Sequence, residues 1–297
     1  MALFRGLAAY PITPADGAGH VDVAALRRLV RRLIDAEVGS IGLLGSTGTY
    51  PYLSRAERRR AIEAAVDEAA GAVPIMAGVG ALRTDEAVAL ARDAKAAGAG
   101  AGLLAPVSYA PLTDEEVFVH FQTVAGEAGL PLCIYNNPGT THFSFSVELE
   151  ARLAGVAGVV AVKNPAPAAG EVGAKLAELR RRMPADFSLG WSVDANAAEA
   201  MIAGGDVWHS VVAGLFPAEA LAICRAAQAG DAAEARRLHA RLAPLWALFT
   251  EFSGLRVVYA AATAMGLATA DPPRPILPLT AEARRRIEAV LRDLALA

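Results

Sequence analysis

The stretch GVVAVKNPAP, residues 158–167, places Lys163 directly after a run of branched and small apolar residues. A short apolar run between a glycine and an Asn-Pro pair is typical of a buried β-strand. No acidic residue follows the lysine before Glu171, so nothing close in sequence neutralises it. Such a lysine either extends past the end of the strand into solvent or is desolvated. Desolvation favours the neutral amine, which is the form that acts as a nucleophile.

Seven further apolar runs of this kind occur along the chain, with longer segments of helical periodicity between them. The runs are residues 4–10, 40–45, 73–79, 99–105, 131–135, 187–190 and 207–214. Strands that alternate with helices imply parallel pairing, because each crossover returns the chain to the same end of the sheet. Eight units spaced by roughly 22 to 35 residues favour a closed (β/α)8 barrel, the TIM barrel of the α/β class, over an open doubly wound sheet.

The segment after the eighth run is too long for one closing helix. Its periodicity predicts helices at 217–228, 231–249, 254–267 and near 280–295. We therefore predict a barrel core over residues 1–216 and a C-terminal helical extension over residues 217–297, packed together as a single structural unit.

The composition argues against several classes of function. The 297 residues carry a formal net charge of -3, and acidic residues are interspersed with the arginines, so no surface for nucleic acid is expected. Alanine supplies much of the mean hydropathy of +0.35. The uncharged stretches that reach the about 18 residues of a membrane span, 96–113 and 128–147, are interrupted by glycine, proline and polar residues, so no membrane span is expected. The N-terminus lacks the features of a secretory signal, so we expect a cytoplasmic protein that does not act at a membrane.

Cysteine and histidine do not occur in metal-binding patterns. Cys133 and Cys224 lie far apart without a CxxC partner, and the five histidines show no HxH or HExxH pairing. We expect neither zinc nor a disulfide, and the cysteines are predicted to be small buried residues. A metal-dependent aldolase is accordingly disfavoured.

Polar residues follow the predicted strands at three places, and the catalytic groups of such a barrel lie at these strand ends. They are Ser46 and Thr47 in GSTGT (45–49), Tyr135 in IYNNPGTTHF (134–143), and Lys163. Each also has an ordinary explanation: a turn with a helix cap, a rim tyrosine with a hydrated hydroxyl, and a lysine that reaches solvent. GSTGT is neither a Walker A loop nor a dinucleotide-binding fingerprint.

Together these groups would suffice for class I aldolase or lyase chemistry on a 2-oxo acid. The amine of Lys163 can form an imine, the hydroxyls of Ser46 and Thr47 can hold a carboxylate, and the phenol of Tyr135 can move protons.

The order and spacing of these motifs resemble the dihydrodipicolinate synthase / N-acetylneuraminate lyase family over nearly the whole chain. The resemblance rests on YPITP, GSTGT, IMAGVGA, LLAPVSY, IYNNPGTT, VAVKNPAP and VDANAAEAMIAGGDVWHSVVAGLFP. It implies that Lys163 is the Schiff-base lysine and Tyr135 the general acid/base. It further implies that Ser46 and Thr47 bind the pyruvoyl carboxylate and join the proton relay.

The same resemblance places Ser192 and His209 near the imine pocket. It also implies a homotetramer built from tight dimers, which needs no metal or organic cofactor. The expected ligand is a small 2-oxo acid, pyruvate or a derivative.

Three departures from the family pattern bear on the second substrate. Thr49 stands where synthases usually carry glutamate, Thr140 where they carry an arginine for aspartate semialdehyde, and Ser108 where a tyrosine crosses the dimer. Tyr109, one position later, is a candidate replacement for that tyrosine. A hydroxyl in place of an arginine loses a bidentate carboxylate contact.

We therefore expect a Schiff-base lyase or synthase that cleaves, condenses or dehydrates a pyruvate-derived 2-oxo acid. The alternatives are dihydrodipicolinate synthase proper, a barrel that binds a 2-oxo acid without turnover, and a phosphate-binding barrel enzyme. The last is disfavoured because the loops after the seventh and eighth runs lack a glycine-rich phosphate turn.

Overall fold

A computed structural model describes residues 4–296 of the chain, and its eight strands in this range form one closed barrel. The strands are β1 (Gly6–Ala9), β2 (Ser40–Leu43), β3 (Ile75–Gly78), β4 (Ala101–Leu104), β5 (Leu132–Tyr135), β6 (Val159–Pro165), β7 (Ser188–Ser192) and β8 (Val207–Ser210). Every pairing is parallel between successive strands, and β8 pairs with β1 to close the barrel. Each predicted apolar run overlaps one strand, so the (β/α)8 prediction is confirmed.

Thirteen helices occur within residues 4–296. They are α1 (Val23–Asp35), α2 (Arg55–Ala69), α3 (Thr84–Ala96), α4 (Asp114–Ala128), α5 (Pro138–Thr141), α6 (Val147–Ala154), α7 (Val172–Arg182), α8 (Asp194–Ile202), α9 (Pro217–Gln228), α10 (Ala232–Arg241), α11 (Ala243–Phe252), α12 (Gly254–Ala264) and α13 (Ala281–Asp293). None of these helices is long and apolar enough to cross a membrane.

Local signals in the sequence define the helix ends. α4 begins with a capping box, in which the Thr113 hydroxyl accepts the N–H of Glu116 and the Glu116 carboxylate accepts the N–H of Thr113. It ends at Gly129, whose φ of 59° is the left-handed conformation that glycine adopts at helix ends.

The C-terminal segment differs from the prediction in one respect. Residues 231–249 were expected to form one helix, but α10 ends at Arg241 and α11 begins at Ala243. Pro244 explains the break, because proline has no N–H to donate and its ring clashes with the preceding turn of a continuous helix. α9 packs against β1 and α8, which is the place of the eighth barrel helix. The division after residue 216 stays a prediction.

Two apolar clusters fill the two layers of the fold. The larger one includes residues that face outward from the strands and the inner faces of the surrounding helices. The smaller one fills the barrel interior with alternate strand residues, because successive side chains of a strand point to opposite faces. Its members are Phe4, Ala8, Tyr10, Met76, Ala101, Leu103, Ala105, Cys133, Tyr135, Ala161 and Val207. Cys133 and Cys224 are both buried, as predicted.

The loop after β2 is held against the end of β3 by a close backbone approach. Leu44 has a φ of 57° and leads the chain into the GSTGT loop. A Cβ atom added to Gly78 would lie 1.8 Å from the carbonyl oxygen of Leu44. A side chain at position 78 would therefore push this loop, and with it Ser46, away from the barrel mouth.

We predict that Gly78→Ala lowers the free energy of unfolding by about 1–3 kcal/mol, because a backbone oxygen rather than a flexible side chain must move. Gly173→Ala is the matched control: the residue lies in α7, and apart from its chain neighbours and the backbone of that helix no atom lies within 4 Å of its added Cβ. The control should be neutral or more stable by up to about 1 kcal/mol. Urea unfolding of both variants checks this, and equal stabilities would contradict the close approach.

Candidate active site

Lys163 and Tyr135 lie opposite each other on neighbouring strands, paired in the register of β5 and β6. Lys163 is 3% exposed, and its Nζ lies 4.3 Å from the centre of the Tyr135 ring and 4.0 Å from the centre of the Tyr10 ring. Within the described residues, Nζ forms no ion pair with a carboxylate. The lysine predicted at the end of the sixth strand is therefore buried between two aromatic rings.

The hydroxyl of Tyr135 belongs to a short hydrogen-bonded chain. It lies 2.9 Å from the Oγ of Ser46 and accepts the amide N–H of Asn137 at 2.8 Å. Because the phenol oxygen accepts the N–H of Asn137, the phenol O–H can donate only to another group, either Ser46 or a molecule in the barrel mouth. The arrangement can relay a proton between the mouth and the Ser46 hydroxyl.

Two further predicted residues, Thr47 and Ser192, do not join this hydrogen-bonded chain. Thr47 is buried, and its hydroxyl makes no side-chain hydrogen bond within residues 4–296. The Ser192 hydroxyl donates to the carbonyl oxygen of Asn164 on the neighbouring strand. Ser46, rather than Thr47, thus contacts the phenol.

His209 is brought to the lysine through Tyr10. Its Nδ1 lies 3.0 Å from the Tyr10 hydroxyl, and both side chains are buried. Burial, followed by the charge of Lys163, lowers the pKa of His209 well below its ordinary value. Burial raises the pKa of Tyr10 well above 10.

The structure does not bring the last two predicted residues to the lysine. Thr140 is exposed on α5, where its hydroxyl donates to the carbonyl oxygen of Asn137. Tyr109 is 100% exposed on the loop after β4. Within the isolated chain, neither side chain takes part in the Tyr135 hydrogen bonds.

A strained backbone position borders the site. Val193 follows Ser192 with a φ of 66° and a ψ of 81°, a conformation that β-branched residues rarely adopt. Its neighbour Asp194 is anchored, because one carboxylate oxygen accepts the indole N–H of Trp208 and the other accepts the backbone N–H of Val212. This anchor fixes the direction of the chain at the mouth, where backbone strain commonly accompanies function.

A second polar cluster lies on the outer side of the barrel wall, directly behind the catalytic candidates. Asn136 and Asn164 each follow one of these candidates, so their side chains point the opposite way. Both amides donate to the Glu150 carboxyl, at 3.3 and 3.2 Å, and Asn136 also donates to Asn164 at 2.8 Å. The three residues line a cavity of about 460 Å³. They tie together the strand ends that carry Tyr135 and Lys163.

Several residues of the site were not identified from the sequence. Asn137 could have been suspected, because it lies two positions after Tyr135 in a polar turn. Tyr10 begins the YPITP motif, but neither it nor Glu150 carried a signal for a role at the site, since the residues that each contacts there are distant in sequence. No three His, Cys, Asp or Glu side chains in the described part of the chain are grouped as metal ligands.

A buried amine beside a phenol–hydroxyl relay, at the mouth of a (β/α)8 barrel, defines the class of Schiff-base-forming lyases and synthases. Similarity to known proteins identifies one family within this class. A family model described as the dihydrodipicolinate synthetase family matches residues 3–294, and the chain belongs to that family. The resemblance seen in the sequence motifs is thereby confirmed, and the protein is a class I lyase or synthase of this family.

Relatives and solved structures agree over nearly the full length. The 4-hydroxy-tetrahydrodipicolinate synthase of Thiobacillus denitrificans is 36% identical over 98% of this chain and 97% of its own. A dihydrodipicolinate synthase structure from Agrobacterium tumefaciens is 58% identical, with a TM-score of 0.96 and 98% of each chain covered. The dihydrodipicolinate synthase of Acinetobacter baumannii, solved in complex with pyruvate, is 30% identical, with a TM-score of 0.91, covering 99% of this chain and 100% of its own.

The Glu150 cluster generates a prediction for stability against pH. Burial raises the pKa of Glu150 from 4.5 to about 7. The folded protein then keeps this proton up to about pH 7, whereas the unfolded chain releases it near pH 4.5. The free energy of unfolding contributed by Glu150 therefore falls as the pH rises between these values, by at most about 1.4 kcal/mol per pH unit.

Glu150→Gln removes this titration, so the stability of the variant relative to the wild type should rise from pH 4.5 to pH 7 and then level off. Urea unfolding at several pH values measures the difference. Glu148→Gln on the same helix is the control, because hydrogen bonds to its own backbone and to Arg182 lower the pKa of that exposed residue. A constant difference for Glu150→Gln across this range would show that Glu150 is ionised in the folded protein.

Proposed function

We propose that the protein forms a Schiff base between Nζ of Lys163 and C2 of a 2-oxo acid, pyruvate or a derivative, and that Tyr135 is the general acid/base. The observation that carries the proposal is the burial of Nζ against the ring of Tyr135, whose hydroxyl is hydrogen-bonded to Ser46. The pyruvate complex of the Acinetobacter baumannii relative supports the choice of 2-oxo acid.

In the proposed reaction each group has a role. The neutral amine of Lys163 adds to the C2 carbonyl, and Tyr135 carries one proton from the nitrogen to the oxygen to give a carbinolamine. The phenol then donates a second proton to this oxygen, which leaves as water as the iminium forms. Ser46 passes a proton from water at the barrel mouth to the phenolate, and Asn137 stabilises the phenolate through its amide N–H. We place Ser46 and Thr47 at the carboxylate of the 2-oxo acid, with Ser46 rather than Thr47 in the relay, and Ser192 and His209 along the imine pocket.

The iminium then withdraws electrons from the bond that reacts. Loss of a proton from C3 gives an enamine, which adds to an aldehyde in a condensation. The reverse reaction cleaves an aldol, and loss of a hydroxyl group from the adjacent carbon is a dehydration. All three use the same amine and the same phenol.

The second substrate is the point on which the alternatives differ. The names of the relatives favour dihydrodipicolinate synthase proper, which condenses pyruvate with aspartate semialdehyde. Against this, Thr140 occupies the position of the family arginine and is exposed, and one hydroxyl makes no bidentate contact with a carboxylate. We therefore propose a different hydroxylated or aromatic 2-oxo acid as the natural substrate or product.

Trapping with pyruvate and borohydride tests the proposal. The chain contains three lysines, Lys95, Lys163 and Lys175, so peptide mass spectrometry can assign the reduced adduct directly. We expect one adduct per chain on Lys163. It should be absent from Lys163→Ala and present in Lys175→Ala, because Lys175 is a helix residue partly exposed to solvent.

No adduct on Lys163 would refute the Schiff-base mechanism. An adduct on Lys163 without turnover of any aldehyde or hydroxylated 2-oxo acid in a panel would favour the binding barrel instead. Turnover of aspartate semialdehyde at a rate above all other aldehydes would identify the synthase proper.

We further propose a cytoplasmic homotetramer built from tight dimers. Large apolar side chains are exposed near the β3 and β4 ends of the barrel mouth: Leu82 is 66% exposed, Val119 50% and Tyr109 100%. Leu82 and Val119 line one surface cavity of about 390 Å³. Exposed apolar groups collected in one region are typical of a protein interface.

We predict that Leu82→Glu dissociates the assembly to smaller species, because a charge buried in an interface lacks a partner. Sedimentation velocity measures the change. Leu277→Glu is the matched control: this leucine is 67% exposed on the segment between α12 and α13. Wild-type assembly in Leu82→Glu would show that this surface is not the interface.

A further inference from the structure

Tyr10 and His209 occupy space inside the barrel that strand side chains would otherwise fill. A Cβ atom added to Gly42 on β2 would lie 2.2 Å from Cζ of Tyr10. A Cβ atom added to Gly190 on β7 would lie 2.4 Å from Nε2 of His209. Barrel interiors are normally filled by side chains from all the strands, so these two glycines leave room for one phenol and one imidazole.

The two side chains hold each other in place. The Tyr10 hydroxyl and Nδ1 of His209 are 3.0 Å apart, and the two rings meet edge to face at 5.7 Å and 66°. Burial favours the neutral form of each group, so at neutral pH the pair carries no charge. The hydrogen bond fixes the face of the Tyr10 ring that is presented to Lys163.

Nζ of Lys163 lies within contact distance of the faces of two aromatic rings. Its distances from the ring centres are 4.0 Å for Tyr10 and 4.3 Å for Tyr135. A buried cation without a partner is unfavourable, and the negative faces of aromatic rings attract cations. Because Nζ has no carboxylate partner in the described residues, the two rings are the groups that can compensate a positive charge there.

We propose that the rings of Tyr10 and Tyr135 form an aromatic clamp that stabilises the positively charged Lys163 nitrogen, as an ammonium before reaction and as an iminium afterwards. The iminium part rests on the proposed function, whereas the ammonium part does not. Tyr10 contacts the reacting nitrogen, and His209 is a positioning residue that acts through Tyr10.

The other titratable groups that face the lysine do not replace the clamp. Cys133 on β5 stays a thiol, because burial raises its pKa to about 12. Asp194 at the start of α8 is close enough for the charge of Lys163 to lower its pKa, but burial raises that pKa more strongly. The hydrogen bonds of Asp194 go to Trp208 and Val212 rather than to Lys163.

Two measurements on the same variants test the clamp. The first is competitive acetylation of Lys163 across a range of pH without any 2-oxo acid, read from the mass of its peptide. The second is the pyruvate concentration that gives half-maximal adduct with borohydride. Tyr10→Leu removes one ring, Tyr10→Phe keeps the ring but loses the hydroxyl, and Tyr135→Leu removes the other ring.

We expect Tyr10→Leu to become reactive to acetylation at a lower pH and to need about ten-fold more pyruvate, because a desolvated cation–π contact is lost. Tyr10→Phe keeps the ring but loses the hydrogen bond that positions it, so it should shift both measurements in the same direction by much less than Tyr10→Leu. Tyr135→Leu should shift the acetylation in the same direction as Tyr10→Leu, which keeps the test valid if Tyr10→Leu does not fold. Tyr259→Phe is the control, because this buried tyrosine hydrogen-bonds to Thr49 outside the barrel interior.

Two results would overturn the clamp. One is an unchanged acetylation profile in folded Tyr10→Leu or, if that variant does not fold, in Tyr135→Leu. The other is a defect in Tyr10→Phe as large as that in Tyr10→Leu, since the hydroxyl rather than the ring would then be responsible. A shifted acetylation profile together with no pyruvate adduct in the wild type would refute the Schiff-base function and leave the clamp standing.

Discussion

The parallel register that sets Tyr135 opposite Lys163 is the constraint on which the site depends. Because strand side chains alternate, this one pairing sends a phenol and an amine into the barrel and sends Asn136 and Asn164 outward. A shift by one residue would exchange the two sets and place the amine among the helices. Glu150 accepts hydrogen bonds from both outward amides and so holds the register from behind.

The fold and the principal catalytic candidates were predictable from the sequence, because both depend on local patterns. Apolar runs of strand length predicted all eight strands. Ser46, Tyr135 and Lys163 were identified because they are polar residues at the ends of those runs. The break between α10 and α11 could also have been predicted from the sequence, because Pro244 is a local signal that outweighs helical periodicity. These features follow from what neighbouring residues along the chain impose on each other.

Apart from His209, which the family resemblance indicated, the groups that surround the amine could not be predicted in this way. Tyr10 and His209 are 199 positions apart, and neither residue type at its position suggests a hydrogen bond before the barrel closes. Glu150 looks like an ordinary helix carboxylate in the sequence, and only the position of α6 behind β5 and β6 buries it. Closure of the barrel therefore creates an environment around Lys163 that a single strand does not encode.

The close contact of Gly42 and Gly190 with the Tyr10–His209 pair has a consequence for how the sequence can change. A larger residue at position 42 is compatible with the barrel only after Tyr10 has become smaller, and a larger residue at position 190 only after both His209 and Val207 have become smaller. The five positions lie on strands β2, β7 and β8 and just after β1, yet their sizes depend on one another. Substitutions that enlarge or reshape the imine pocket therefore require a change of Tyr10 or His209 first. The effects of substitutions inside this barrel are in this sense epistatic.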